Sequence, residues 1–146
     1  MIRPFESLML RTLLGPLVAA MQLFAVYVVV HGHYSPGGGF QGGILLAASI
    51  ILPLLVSGRD DARLRLTLRA AITLTAIGVL IFAVIAILPM IWGEPLLSYG
   101  ALPIAEDMPG RHSLGILLIE IGVTIAVAGS MVSIFYGLTD TIGGAA

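Results

Sequence analysis

Four long apolar runs, separated by short joints, constrain this chain more than any other feature of its sequence. They cover about residues 8 to 30, 36 to 57, 67 to 91 and 113 to 138. Crossing a hydrocarbon core of ~30 Å takes about 20 apolar residues in a helix. Each run is long enough. Lipid offers no hydrogen bonds to a bare backbone, so a chain of this kind spans as helices that satisfy their own amides. Only 10% of the residues are charged, whereas soluble domains carry about 25%, which excludes four buried helices of a water-soluble protein. The expected fold is an all-α membrane protein with four transmembrane helices and short loops, one membrane domain over residues 1 to 146.

The first run fits a cleaved signal peptide badly. Such a segment has an apolar region of about 7 to 15 residues followed by a small-residue cleavage site, whereas this run leads into His31-Gly32-His33-Tyr34. Pro16, Pro53 and Pro89 fall in or near the runs and are expected to kink them without breaking them, because neighbouring helices can satisfy the freed carbonyls. Orientation follows from the arginines, since short cytoplasmic loops keep the positive excess. Arg3, Arg11, Arg59, Arg63, Arg65 and Arg69 share one side, and Arg111 alone lies on the other. Both termini and loop 58–69 are therefore expected in the cytoplasm, in an inner cell membrane, with loops 31–39 and 92–112 outside. The loop from Arg59 to Arg69 reads first as a topology determinant, with contact to anionic lipid or a partner as a second role.

The stretch from His31 to Gly43 is the most unusual in the chain, with six glycines in thirteen residues. Each glycine costs a helix about 1 kcal/mol relative to alanine, so five of them between 37 and 43 need a reason. On a helix, Gly39, Gly43 and Ala47 stand at i, i+4 and i+8, the small-residue spacing that lets two membrane helices approach closely. Ser35 and Pro36 suit the N-cap and first position of the second helix. Gly37, Gly39 and Gly42 also spell G-x-G-x-x-G, but a dinucleotide site needs a preceding strand and a following acidic residue, and these glycines join two spans. His31 and His33 fall short of a metal set, there being no cysteine and no evident further ligand. As titrating groups at the outer mouth of a proton path they are better candidates, because histidine changes charge between about pH 5 and 8. No metal or cofactor is expected in the chain.

This stretch, with the apolar run Ile44 to Leu52 after it, resembles the signature of the B subunit of Mrp-type (Mnh-type) Na+/H+ antiporters. The matching residues are Pro36, Gly37, Gly38, Gly39, Phe40, Gln41, Gly42 and Gly43, and the four-span layout with an arginine-rich loop is similar across nearly the whole chain. The resemblance implies a hetero-oligomeric complex in which large antiporter-like subunits sit beside several small ones, with Na+ and H+ as the transported ions. Related B-like subunits also occur in ion-pumping modules of membrane-bound hydrogenases. The resemblance assigns no catalytic residue to these positions.

Glu120 lies inside the fourth run, where insertion scales charge an acidic residue about 2.5 to 3.5 kcal/mol. Ser113 and Thr124 share its helix face. Three roles stay open: an interhelical structural contact, a proton or cation path, and a carboxylate reaching to the interface. Gly115, Gly122 and Gly129 recur on nearly the opposite face and favour a second close helix contact. The fourth helix thus needs protein or water on two sides, a demand most easily met in a larger assembly. Gln22 reads as an interhelical hydrogen-bonding residue.

The functional expectation is a non-catalytic membrane subunit of a cation/proton antiporter that helps to assemble or line the ion route. Its partners are other antiporter subunits and the lipid bilayer, with no nucleic acid. The alternative is a mainly structural B-like subunit of a hydrogenase-linked or respiratory-type pump. A stand-alone membrane enzyme is the weakest reading, because no nucleophile, base and orienting group recur at helical spacing.

Overall fold

The computed structural model describes residues 8–32, 37–57, 66–102 and 107–143. Four helices carry it: α1 Leu8–Val30, α2 Gly39–Ser57, α3 Leu68–Ile87 and α4 Met108–Gly143. All four are long and apolar enough to cross a membrane. α1 runs on through Pro16 and α2 through Pro53. Pro89 acts differently. The α-helical part of the third run stops at Ile87, and Leu88–Trp92 continues as a 3-10 turn with Pro89 at its start. Proline has no N–H for the carbonyl four residues back, and its ring crowds that carbonyl, so the expected kink is an end.

The chain after Trp92 turns back over the helix it has left. Gly93, at φ 77°, closes the turn, and the Leu97 amide donates to the Ala86 carbonyl at 3.0 Å. A short 3-10 segment, Tyr99–Ala101, then lies against the start of α4. There the Tyr99 ring covers Gly115, and His112 meets that ring edge-on at a centroid distance of 6.4 Å. Burial pushes the Tyr99 phenol above its ordinary value of 10.0, so it stays neutral at physiological pH. Leu102 behind it is fully buried. At the other end of α3, Thr67 serves as N-cap, its hydroxyl oxygen accepting from the Ala70 amide at 3.2 Å.

The helices form a row in the order α1, α2, α4, α3. α4 packs along α3 on one side and α2 on the other, while α1 packs on α2 and meets α4 only locally. Among the described residues no backbone of α3 approaches α1 or α2. Ala47 and Leu54 of α2, Ala71 of α3, and Val132 and Tyr136 of α4 form one buried cluster. The third helix contact lies in glycines. A Cβ on Gly78 would overlap the α4 backbone at Ala126, and one on Gly129 would stand 2.6 Å from the Ala71 carbonyl. The two ends of the row stay open: only 17% of the spanning stretch is buried in α1 and in α3, against 39% in α2. Those faces are left for lipid or other proteins.

α4 therefore has chain on both its Glu120 face and its glycine face. The demand for protein on two sides is met within this chain, without a larger assembly: α2 lies over the Glu120 side and α3 over Gly122 and Gly129. A correction concerns the start of α2. Helix begins at Gly39, not at residue 36, and Gly37 and Gly38 are non-helical. Gly38 sits at φ +99°, a conformation that L side chains rarely adopt, and it cannot form the first turn of a helix capped by Ser35. Ser35 and Pro36 themselves lie outside the described residues.

Candidate functional site

The glycine-rich segment and Glu120, 77 or more positions apart in the sequence, meet in the fold. Three glycines do this, each by lacking a side chain. A Cβ on Gly32 would stand 2.5 Å from Glu120 Oε2 and 2.7 Å from Oε1, and one on Gly38 would stand 2.9 Å from Oε1. One on Gly39 would overlap the Glu120 main-chain carbonyl. The carboxyl is thus covered by the end of α1 and the start of α2, and its Oε2 is buried. The two covering backbones also touch each other, since a Cβ on Gly32 would lie 2.5 Å from Gly38 Cα.

Thr124, one turn further along α4 and 5% exposed, fixes the arrangement. Its hydroxyl lies 2.7 Å from the Glu120 carbonyl and 3.0 Å from the Gly39 carbonyl, so its single proton is shared between a bond within α4 and one across to α2. Serine and threonine commonly bond back to the preceding turn of their own helix. Here the same hydroxyl also ties the first residue of α2 to the helix that carries the carboxyl.

The remaining glycines divide between two neighbours. Gly43 faces Val127 and the Thr124 carbonyl of α4, continuing the Gly39 side, and Ala47 extends it as a buried residue. Gly42 faces Ala25 and Val29 of α1 instead, and Gly37 rests on Val28. Two adjacent glycines in α2 thus serve two different helices, which is why the segment needs more of them than one crossing would. Phe40 and Gln41 point outward and are exposed.

His31 does not share the cover over Glu120 that its neighbour Gly32 provides. Its ring stacks on Tyr27 at 4.2 Å, with Nδ1 3.1 Å from the Tyr27 carbonyl, and it is exposed. His33 and Pro36 lie outside the described residues. Among those residues no group of three or more His, Cys, Asp or Glu could hold a metal ion. The contribution of Gly32 was missed by sequence reasoning, which placed it in a loop. Its sequence signal was its place among the six glycines of the stretch from His31 to Gly43.

The family model described as a domain related to the MnhB subunit of Na+/H+ antiporter matches residues 9–133. The chain is 33% identical over 135 residues to the protein named "Putative antiporter subunit mnhB2" in Staphylococcus aureus strains Newman, JH1 and COL, a match covering 92% of this chain and 95% of each relative. The matched residues 9–133 take in the glycine-rich segment, Glu120 and the greater part of each of the four spans. The chain belongs to the family of domains related to the MnhB subunit of Na+/H+ antiporters.

Proposed function

We infer that the chain is a non-catalytic membrane subunit of a multi-subunit Na+/H+ antiporter, and that Glu120 supplies an ionisable group to the ion route of that complex. The observation that carries the second part is the closure of Gly32, Gly38 and Gly39 on the Glu120 carboxyl. An ionisable residue inside a span is costly to insert and is by default a functional one. In this chain the approach to it requires three residues without side chains on two other elements. A purely apolar residue at 120 would fill the same space without charge.

Family membership and the open ends of the helix row support the first part. α1 and α3 expose Leu23, Phe24, Val79 and Leu80, which leaves room for neighbouring subunits on both sides. The arginine count supports an orientation with both termini and loop 58–69 in the cytoplasm. A hydrogenase-linked setting has no observation in its favour here.

Purification through an affinity tag on this chain tests the first part: other antiporter subunits are expected to co-purify in fixed ratio, and their absence from gently solubilised membranes would refute it. Glu120→Gln tests the second. It keeps the side-chain shape and removes the ionisable charge, so the complex should assemble and exchange Na+ for H+ slowly in vesicles. Normal exchange at every pH would reduce Glu120 to a structural contact.

A further inference from the structure

A polar residue in the middle of α1 is left without a use by the fold. Gln22 lies ten residues after Thr12 and eight before Val30, the ends of the first span, so at 1.5 Å per residue it stands about 12–15 Å from either end. That is the middle of a hydrocarbon core of ~30 Å. Its amide offers two N–H donors and a carbonyl acceptor. The sequence leads one to expect an interhelical hydrogen bond there, yet among the described residues nothing bonds to Gln22. The side chain is half-buried, and its amide is not sealed beneath the chain.

Its place on the surface is defined by its neighbours along α1. Val26 and Val29 follow it at i+4 and i+7 and so share its helix face. Both line a groove of about 260 Å³ together with Leu46 of α2 and Leu117 and Ile121 of α4. Thr124 is the polar residue of that lining, and its hydroxyl proton is already shared between the Glu120 and Gly39 carbonyls. The groove takes a row of side chains and not a whole helix. A helix laid along it would seat one ridge of apolar side chains there and carry its next turn over Gln22.

Acyl chains could fill the groove, but they have neither donor nor acceptor for the amide, and an unsatisfied polar group in hydrocarbon is costly. Complementarity therefore commits the occupant to a helix that carries a hydrogen-bonding side chain at mid-depth, such as serine, threonine, asparagine or glutamine, the residues that bond across helices in membranes. We propose that Gln22 and the groove beside it are the docking site for a transmembrane helix of another antiporter subunit, which supplies that side chain, a proposal that rests on the multi-subunit reading.

Gln22→Leu tests it, because leucine keeps much of the bulk and removes the amide. In the purified chain the substitution takes away a group that has no bond, so the midpoint of unfolding in dodecyl sulfate should stay level or rise. In a detergent dilution that leaves the wild-type complex half dissociated, the ratio of complexed to free chain should fall about three- to twentyfold, the worth of one hydrogen bond between membrane helices. A lowered midpoint would show that Gln22 serves this chain's own fold, and an unchanged ratio would show that no partner uses it; either overturns the proposal. Photoreactive benzoylphenylalanine in place of Val26 supplies a second measurement and should crosslink to a spanning segment of another subunit. Adducts with a second copy of this chain, or with lipid alone, would overturn the proposal. If the wild-type chain recovers no other subunit at all, it is the multi-subunit reading that fails, so the two failures are distinct.

Discussion

Gly78→Ala is the sharpest test of the α3–α4 seam. The new methyl would overlap the Ala126 amide nitrogen and lie 2.6 Å from the Gly122 carbonyl and 2.8 Å from Ala126 Cα. All three are backbone atoms, so no side chain can swing aside. Restoring ordinary contact at 3.4 Å or more means parting the helices by about 1 Å, and overpacking of this kind costs about 1–3 kcal/mol. Against it stands a gain of about 1 kcal/mol in helix propensity for glycine to alanine. The substitution should therefore destabilise by up to about 2 kcal/mol.

Gly137→Ala provides the control. It lies in the same helix pair, but nothing stands within 4 Å of its Cβ position, so only the propensity gain applies. Subtracting the two cancels propensity and leaves the packing cost of about 1–3 kcal/mol. Helix content of the purified chain, followed through a titration from mild detergent into dodecyl sulfate, supplies both midpoints. Gly78→Ala should unfold at lower dodecyl sulfate than wild type and Gly137→Ala at the same or higher. Equal midpoints for the two variants would show that α3 and α4 do not approach as closely as this geometry requires.

Three further outcomes follow from the site and the topology. Gly38→Ala should impair assembly or exchange more than Gly37→Ala, because residue 38 sits at φ +99° with Glu120 Oε1 2.9 Å from the added Cβ, whereas the nearest atom to one on Gly37 is in the Val28 side chain at 3.2 Å; comparison of complex yield and exchange rate checks it. Thr124→Val should lower the dodecyl sulfate midpoint by the equivalent of about 0.6–2 kcal/mol while Thr124→Ser retains it, since hydroxyl bonds between membrane helices are worth about that much. The chain has no native cysteine, so Ala62→Cys should react with an impermeant maleimide only from the cytoplasmic side and Glu94→Cys only from outside; the reverse pattern would invert the assigned topology.

Much of this fold could be read from the sequence because lipid simplifies the problem. Run length and the absence of charge predict four spans, and the observed helices fall on those four runs. Less visible was where helices stop. Pro89 ends α3 while Pro16 and Pro53 are carried through, and beyond Pro89 the loop folds back so that the Leu97 amide donates to the Ala86 carbonyl. The site was legible as parts. Glu120 stood out by its cost and the glycines by their number, but that Gly32 and Gly38 close on the carboxyl depends on the row order α1, α2, α4, which no local pattern encodes. Gly78 drew no notice, since a single glycine in an apolar run has no spacing to mark it.

The row order also explains why one helix carries both the carboxyl and the recurring glycines. In a closed bundle of four helices each member touches two neighbours and the burden of close packing is spread. Here α2 and α4 are the inner helices, and α4 must admit a helix at short distance on two opposite faces, Gly122 and Gly129 toward α3 and the Glu120 to Val127 face toward α2. A charged group on the open face of α1 or α3 would be covered by lipid or another protein and not by this chain. On α4 it lies beneath Gly32, Gly38 and Gly39, which close over it without side chains. Glu120 is thus positioned by the same geometry that holds the subunit together, and substitutions along the α2–α4 seam should affect stability and ion exchange jointly, whereas those along α3 should affect stability first.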